Sequence, residues 1–462
     1  MMSPFQKALI LLILVFNCLS FAKISEAAIY YVSTRGNDSN PSTESLPWRT
    51  VQKATNMMVA GDTVNIQAGT YDESVVINRS GTANSVITYS GPGHLRKIST
   101  VGANYIIVDG LAVGNPGGSA YSGGQIEIDA DSNYITLRNC LIDPQQAAHV
   151  EGVVVYGGHD IRVNNCIIQN INLSTAIVVN GFNNVVTNSV VRNTYDAHAF
   201  RVWGYDNTIS YNTVTNNLIT ANAEQNHSDF IQPFGGQWHP EGSYNIVGEG
   251  NSIINTQAQA SYLSALEGDG VDANVSHWIF RNNIWANVSH CGQTRVPYTL
   301  FYNNIFYKVG NGQSSASGSI DVGVSSAGNA AGSEIINNIF LENGFTPGDA
   351  NTGWYVYSGG IDHSLIKASN NYAGGTNYAA NNVSEMYSVN GGAPQFVNLA
   401  ECDFHLLAGS PLIDRGEAIS IFNYDKDGTP GPQASVWDIG AYAYVPGDDK
   451  TPPTAPSGLS VQ

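Results

Sequence analysis

The chain is poor in charged residues. Only 12% of its 462 residues are Asp, Glu, Lys or Arg, about half of the usual share in a soluble domain. The chain has 19 Lys and Arg residues against 37 Asp and Glu residues, so its formal net charge is −18. Because phosphate binding needs clustered basic side chains, this balance excludes nucleic acid as the expected partner. It is compatible with a neutral polysaccharide. It is also compatible with an acidic one, since a local Arg/His patch or bound cations would reverse the field in one groove.

Long apolar runs are absent after the first residues. One short run, residues 8–16, follows Lys7 and precedes a polar stretch that ends in Ala27 and Ala28. This order is typical of a secretory signal peptide cleaved near those alanines, and the run is too short to span a membrane easily. We therefore predict a leader over residues 1–28, secretion to the extracellular or periplasmic side, and no membrane span.

Polarity comes instead from Asn, Ser, Thr and 48 glycines, and a short motif recurs in which apolar residues flank one or two Asn. Its copies are centred on Asn139, Asn165, Asn188, Asn282, Asn303 and Asn337. Apolar residues that alternate with period two around a central Asn predict short strands meeting at an Asn-lined bend. A repeat of roughly 20–30 residues built in this way indicates a solenoid, because one turn cannot bury its apolar face without a neighbour.

Cysteine is scarce, and two of the five residues hold equivalent repeat positions. Cys140 and Cys166 each follow the Asn of one repeat, so we expect their side chains to stack within a few ångströms. Either a disulfide links the two turns in an oxidising compartment, or two inward thiols pack as small apolar groups. No Cys or His spacing fits a zinc site.

Two regions of the sequence resemble known units. Residues 30–73, YYVSTRGNDSNPSTESLPWRTVQKATNMMVAGDTVNIQAGTYDE, are similar to the N-terminal cap of secreted right-handed parallel β-helix proteins of the pectate-lyase-like superfamily. The segments FHLLAGSPLIDRG, DKDGTPG and WDIGAYAY, between residues 404 and 444, resemble the C-terminal segment of bacterial members. The resemblance does not imply one activity, because the superfamily includes lyases, hydrolases, epimerases and binding proteins.

The resemblance and the repeats together imply an all-β fold, a single right-handed parallel β-helix over residues 29–444. We expect a helical cap near Trp48–Ala54 and a non-repeating closing segment at the C-terminal end. Residues 445–462 are rich in Pro, Asp and Thr and are typical of a linker, and residues 454–459 within them resemble the opening of a fibronectin type III-like module.

Aligning the repeats predicts which residues are neighbours, because equivalent positions of successive turns stack about 4.8 Å apart. Four turns share an apolar strand that ends in a glycine: Gly157, Gly181, Gly204 and Gly235. Three residues before these glycines stand Val154, Val178, Arg201 and Gln232. Six residues before them stand Glu151, Thr175, His198 and Asp229. Eight residues before them stand His149, Leu173, Asp196 and His227.

Positions six and eight residues before the glycine share a strand face, so we predict a compact square of Asp196, His198, His227 and Asp229. A His held by a carboxylate acts as a general base near neutral pH. The leading hypothesis is therefore a lyase of an acidic, uronate-containing glycan, with His198 or His227 as the base. Asp196 and Asp229 would orient the histidines or bind a cation, and Arg201 or Arg295 would neutralise the uronate carboxylate.

Two other functions stay open. A glycoside hydrolase would use Asp196 and Asp229 as its carboxylate pair, with Glu151 or Glu267 in reserve. A non-catalytic surface or adhesion protein would instead display a sugar-binding face, on which the stacked polar side chains form a solvated ladder.

Further residues near the cluster predict substrate contacts. Arg295 would be a second carboxylate clamp, and an aromatic face such as that of Trp238 would hold a sugar ring. The other substrate-binding candidates are Gln232, His239, Glu151, His290 and Tyr298. We expect a monomer whose partner is a polysaccharide.

Calcium is the candidate cofactor, and otherwise we expect none. Its candidate ligands, in an acidic run, are Glu267, Asp269 and Asp272. The preferred interpretation of this run is a solvated turn, since its spacing matches no calcium-loop motif. Asp425 and Asp427 are interpreted as residues that stabilise a turn.

The chain departs from the better-known members of the superfamily. It lacks the aspartate cluster with a partnering Lys or Arg of the pectate lyase pattern, and the paired-aspartate motif of the polygalacturonases. Those activities are therefore not transferred residue by residue, whereas a uronan lyase that uses His, Tyr and Arg remains open.

Overall fold

The structure is a computed structural model. It describes residues 27–115, 123–219, 228–233, 239–259, 262–264, 274–290, 292–310, 319–325, 328–343, 355–357, 363–374, 388–431 and 436–447. Residues 1–26 and 448–462, which hold most of the predicted leader and linker, lie outside this range. In the described part of the chain, no helix has the length and apolar content needed to cross a membrane.

The chain winds through three stacks of parallel strands, called sheets 1, 2 and 3, and one passage through them is a rung. The strands of sheet 1 are Gly69–Ile77, Gly93–Thr100, Gly123–Ile128, Val150–His159, Thr175–Phe182, His198–Val202, Ile231–Gln232, Tyr262–Ser264, Gly292–Arg295, Ile320–Ser325 and Tyr355–Tyr357. The strands of sheet 2 are Ile29–Val32, Thr63–Ile66, Ile87–Ser90, Ile106–Asp109, Ile135–Arg138, Arg162–Asn164, Val185–Thr187, Thr208–Ser210, Ser243–Glu249, Val275–Arg281, Leu300–Tyr302, Glu334–Ile336 and Lys367–Ser369. The strands of sheet 3 are Ala112–Gly114, Leu141–Asp143, Ile167–Gln169, Val190–Tyr195, Thr213–Leu218, Ser252–Gln259, Ile284–His290, Ile305–Val309, Ile339–Leu341, Tyr372–Gly374 and Val389–Asn390.

A few elements stand outside these stacks. The two-residue strand Gly204–Tyr205 joins sheet 1 to sheet 2. Two short antiparallel pairs are Ile320–Ser325 with Gly328–Asn329, and Phe396–Asn398 with Asp403–Leu406. The helices are the α-helix Val51–Met57 and the 3-10 turns His363–Leu365 and Leu399–Glu401.

The bend between sheets 2 and 3 is the Asn-lined bend that the repeat predicts. Asn139, Asn165 and Asn282 adopt the left-handed conformation, with φ of 56°, 52° and 56°, which Asn tolerates better than most residues. The residue after each of these is buried, and from the middle of the chain onwards it is itself an asparagine. Those asparagines form a ladder through the core: Asn212, Asn251, Asn283, Asn304, Asn338 and Asn371. The ladder satisfies buried backbone groups that an apolar side chain would leave without partners.

The core inside the three sheets is apolar, and the α-helix closes its N-terminal end, where Val51 and Ala54 are fully buried. The non-repeating C-terminal segment packs along the side of the later rungs. Arg281, which donates to Glu249 at 2.8 Å, donates to the hydroxyl of Tyr424 in that segment at 3.1 Å. The predicted all-β parallel β-helix with a helical cap and a closing segment is therefore confirmed.

Cys140 and Cys166 stack on neighbouring rungs as predicted, and both are free thiols buried in the core. A hydrogen bond to Cys166 and burial raise the pKa of the Cys140 thiol well above its ordinary value. Of the two alternatives for this pair, the structure shows the packed thiols.

Candidate functional site

Strand pairing in sheet 1 follows the predicted register. Val154 pairs with Val178, Val178 with Arg201 and Arg201 with Gln232. Thr175 pairs with His198 on the same rungs. Gly181 and Gly204 also stack, and a Cβ on Gly204 would lie 1.8 Å from the carbonyl oxygen of Gly181. Only glycine fits this approach, which explains why the glycines marked the register.

His198 and Arg201 lie on the same outer side of sheet 1, although they are three residues apart. Ala197 and Ala199 are core residues, so the side chain of His198 between them faces outwards. Phe200 and Val202 are also core residues, and Arg201 between them is partly exposed. Because Ala199 and Phe200 both face the core, the strict alternation of a strand is shifted by one residue here.

His198 and Asp229 form the central contact of the site. The Nδ1 atom of His198 lies 3.0 Å from the Oδ2 atom of Asp229, and the backbone N–H of Asp229 donates to the same Nδ1 atom at 3.2 Å. Asp229 is fully buried, and His198 is 7% exposed. With the ring proton on Nε2, Nδ1 accepts from the backbone N–H. With the ring proton on Nδ1, the ring donates to the buried carboxylate, and its lone pair lies on Nε2, the arrangement of a general base.

Gln232 and Arg295 continue the outer face beyond Arg201. Gln232 is 3% exposed, and its amide oxygen has no hydrogen-bond partner in the part of the chain that the structure describes. Arg295 pairs with Ser264 and follows the fully buried Thr294, so the Arg295 side chain faces outwards like that of Arg201. Arg201 and Arg295 are three rungs apart, about 14 Å at the usual strand spacing.

Asp196 lies next to this face at the turn before the strand. Its φ is 46°, and the strand of sheet 1 begins only at His198. The direction of its side chain is therefore not set by strand alternation, on which the predicted square depends. Asp196 is 8% exposed and follows Leu173 and His149 in one left-handed column. The fourth member of the square, His227, lies outside the described residues.

Trp203 belongs to the same surface and was not among the sequence candidates. Its ring stacks on His239 with 3.7 Å between ring centroids and an angle of 11°. His239 in turn contacts Glu241 at 3.0 Å. The sequence contains a signal for Trp203, because this residue stands directly before Gly204, two residues after Arg201.

The remaining candidates are placed as follows. Glu151 is partly exposed, two rungs from His198 on sheet 1. Tyr298 does not lie on the outer face of sheet 1. It lies in the turn that follows and stacks on His277. His290 ends a strand of sheet 3. Outside the described residues lie Trp238, Glu267, Asp269 and Asp272.

No group of three or more His, Cys, Asp or Glu residues is arranged to hold a metal ion within the described ranges. Asp425 accepts backbone hydrogen bonds from Asp427, Thr429 and Ala443 at 2.9, 2.7 and 2.9 Å. These contacts agree with its interpretation as a turn-stabilising residue.

Comparisons with known proteins agree with the parallel β-helix fold. Residues 30–229 match the family model described as the Pel9A-like right-handed β-helix region. The chain is similar to the crystal structure of pectate lyase Pel9A, with a TM-score of 0.54 and 15% identity over 92% of this chain and 98% of that one. It is also similar to the structure of XylC with xylose, with a TM-score of 0.59 and 11% identity over 90% of this chain and 98% of that one.

A curated relative matches only a short stretch. The uncharacterized protein YwoF of Bacillus subtilis (strain 168) is 42% identical over 59 residues, which is 13% of this chain and 13% of that protein. These comparisons therefore bear on the fold, which is a right-handed parallel β-helix. The chain has the right-handed parallel β-helix fold, and residues 30–229 of it match the Pel9A-like β-helix family model.

Proposed function

We propose that this protein is a polysaccharide lyase that cleaves an acidic, uronate-containing glycan on the outer face of sheet 1. The observation that carries the proposal is the His198 ring bound to the fully buried carboxylate of Asp229, on the face that also bears Arg201. A base held by a carboxylate and a nearby guanidinium are two of the groups that elimination at a uronate needs.

The reaction would use these groups as follows. Arg201 binds the uronate carboxylate, which makes the neighbouring C5 proton more acidic. The Nε2 atom of His198 takes that proton, a double bond forms between C4 and C5, and the C4–O bond breaks. The leaving oxygen receives a proton from solvent. Asp229 holds the ring in the required tautomer and stabilises the imidazolium that forms.

Gln232 and Arg295 fit the role of substrate contacts along the same face. The buried amide of Gln232 stands beside Arg201 on the next rung, where a sugar hydroxyl would supply the partner that its oxygen lacks among the described residues. Arg295, about 14 Å further along, would bind a second carboxylate of the polymer. A regularly charged chain such as a uronan would engage both arginines.

The geometry supports a hydrolase less well. A hydrolase needs two carboxyl groups that flank the glycosidic bond. Asp229 is fully buried and contacts the ring of His198, and Asp196 is 8% exposed. Asp229 would therefore reach the substrate only through the histidine.

The solved structures with this fold are consistent with a carbohydrate ligand, since one is named as a pectate lyase and the other as a complex with xylose. The predicted leader over residues 1–28 would bring the enzyme to a polymer outside the cell.

The test is a panel of uronans and neutral glycans, on which the absorbance of the unsaturated uronate and the release of reducing ends are followed in parallel. We expect absorbance to grow with at least one uronan. Reducing ends without absorbance would indicate a hydrolase, and no reaction on a broad panel would favour a binding protein.

The site assignment is tested with His198→Ala, for which we expect a loss of roughly 10²–10⁴-fold in kcat. The matched control is His159→Ala, because His159 also contacts an aspartate, Asp160, at 2.8 Å but lies at the turn between sheets 1 and 2. A lyase rate that survives His198→Ala would refute the assignment and leave the reaction class standing.

A further inference from the structure

A second groove lies on the outer face of sheet 2, on a different sheet from the candidate active site. Its cavity has a volume of about 620 Å³, which is typical of ligand sites. The floor is a column of strand residues: Thr208, Val247, Ile279, Leu300 and Glu334. The wall is a column of residues that share a positive φ: Asp206, Asn245, His277, Tyr298 and Gly332.

The floor follows the axis of the β-helix. Its residues pair in sequence across five consecutive rungs, from Thr208 through Val247 to Glu334. Four spacings of about 4.8 Å make the floor about 19 Å long. Ile279 lies between the fully buried Trp278 and Phe280, so its side chain faces the groove. The result is an elongated, partly apolar trough suited to a chain-like ligand.

Two stacked rings form a platform on the wall. The rings of His277 and Tyr298 lie 4.7 Å apart between centroids at an angle of 22°, and Tyr298 is 52% exposed. Both residues have left-handed backbones, with φ of 55° and 57°. An exposed aromatic face beside an apolar floor is a surface on which the C–H face of a sugar ring packs well.

The charges of the groove indicate which sugars it accepts. Among its ten lining residues, Asp206 and Glu334 are acidic and none is Lys or Arg. Lys367, which pairs with Glu334 on the next rung, is held by Glu417 at 2.5 Å. Carboxylates and the amide of Asn245 offer acceptors to sugar hydroxyls, whereas they repel a uronate.

We propose that this groove is a binding site for a neutral polysaccharide, separate from the candidate active site. The proposal does not depend on the reaction at sheet 1. In this site, a sugar ring stacks on Tyr298 and His277. Ile279 and Leu300 form the apolar floor, and Asp206 accepts hydrogen bonds from sugar hydroxyl groups. Such a site would hold the protein on a neutral polymer while sheet 1 acts on a charged one.

The test is calorimetric titration with three hexasaccharides: β-1,4-linked glucose, β-1,4-linked xylose and a uronate. We expect one of the neutral sugars to bind, and the uronate to bind roughly tenfold more weakly at this groove. Tyr298→Ala should weaken the neutral binding by roughly tenfold, and His277→Ala by a smaller factor.

The matched control is Tyr134→Ala. Tyr134 stands in the same column of residues with positive φ, has a φ of 58°, is 42% exposed and stacks on Tyr105, but it does not line the groove. The Tyr134→Ala variant should bind the neutral sugar with the affinity of the wild type, and the His198→Ala variant should do the same.

Several outcomes would overturn the proposal. The first is that Tyr298→Ala binds the neutral sugar as tightly as the wild type does. The second is that the wild type binds neither neutral sugar. The third is that the wild type binds the uronate more tightly than the neutral sugars and that Tyr298→Ala loses this uronate binding. Neutral binding that is lost in His198→Ala alone would place the sugar on sheet 1. A dimer in light scattering that Tyr298→Ala dissolves would identify a second copy of the chain as the occupant. A failed lyase assay together with groove binding would reject only the proposed reaction.

Discussion

The Nδ1 atom of His198 lies 3.0 Å from the Oδ2 atom of Asp229, and the carboxylate in this contact is fully buried. Replacing Asp229 by Asn keeps the volume but presents an amide N–H group to Nδ1. Nδ1 then becomes an acceptor, the proton moves to Nε2, and the lone pair that a base needs is lost. We expect Asp229→Asn to lower kcat on the cleaved uronan by roughly 10²–10⁴-fold with the fold intact.

Nitrogen NMR of the His198 ring checks the cause directly, because the two tautomers differ in their nitrogen shifts. The matched control is Asp160→Asn, which alters the other aspartate–histidine contact, at His159, and should leave kcat unchanged. An unchanged His198 tautomer in Asp229→Asn, together with an unchanged rate, would remove Asp229 from the mechanism.

Counting from the glycines placed Arg201 beside Gln232 correctly, because the rung repeat keeps the backbone register and Gly181 and Gly204 must stack. The side-chain directions were harder to predict. Ala199 and Phe200 both face the core, a local irregularity that a period-two pattern does not contain. The repeat therefore predicted which residues are neighbours, whereas the direction of each side chain depended on packing within one rung.

A second limit of prediction from the sequence concerns the residues in turns. Tyr298 stands three residues after Arg295, yet the turn between them carries it to sheet 2. The groove on that sheet is assembled from residues 206 to 334, whose proximity depends on rungs of unequal length. Loop length is not periodic, so alignment of the strand motifs alone did not bring these residues together.

The guanidinium of Arg201 is expected to bind the uronate carboxylate, and Arg201→Gln removes its charge while keeping much of its length. We expect kcat/KM on a uronan to fall by roughly 10²-fold or more, because the acidity of the C5 proton depends on this neutralisation. Arg295→Gln should raise KM with little change in kcat, since Arg295 lies about 14 Å away along sheet 1.

The control for both is Arg162→Gln, which removes an exposed arginine from sheet 2. Steady-state kinetics on one uronan, at several salt concentrations, measures all three variants. Equal effects of Arg201→Gln and Arg162→Gln would show that net charge, and not a specific clamp, governs binding.

The asparagine ladder makes a graded prediction about stability. Asn304 is fully buried, donates to the carbonyl of Phe280 at 2.8 Å and accepts from the backbone of Asn283 at 2.9 Å. Asn304→Ala leaves these backbone groups buried without partners, so we expect a loss of roughly 2–5 kcal/mol in the free energy of unfolding. Ser189→Ala, at the equivalent bend, breaks two bonds of the hydroxyl, one accepted from the backbone of Cys166 and one donated to the carbonyl of Thr187, and should cost roughly 1–2 kcal/mol.

Urea unfolding followed by circular dichroism measures both variants against the wild type. Asn304→Ser tests the cause, because a serine hydroxyl keeps one of the hydrogen bonds and should recover part of the loss. If Ser189→Ala lowered the free energy of unfolding as much as Asn304→Ala does, the asparagine ladder would contribute no more to stability than a single serine at the same bend.

His405 in the closing segment makes the stability dependent on pH. Its Nδ1 atom contacts Asp403 at 2.5 Å and its Nε2 atom contacts Asp427 at 2.9 Å. Burial lowers the pKa of His405, but the bonds to Asp427 and Asp403 outweigh it and raise the pKa above the ordinary value. The stabilisation from the charged ring is therefore complete below the unfolded pKa of about 6.5. It is lost as the pH rises through the folded pKa.

Lys426 works in the opposite direction, since burial lowers its pKa to about 8 and stability rises with pH above that value. The contribution of His405 is therefore isolated as the difference between the wild type and His405→Gln at each pH. We expect His405→Gln to be less stable by roughly 1.5–3 kcal/mol at pH 6, with the difference shrinking towards pH 9. Urea unfolding across this pH range measures the difference.

The control is Asp427→Asn, which keeps His405 but removes one carboxylate and should show a smaller part of the same trend. If the difference between the wild type and His405→Gln stayed constant with pH, the ring would be neutral in the native protein.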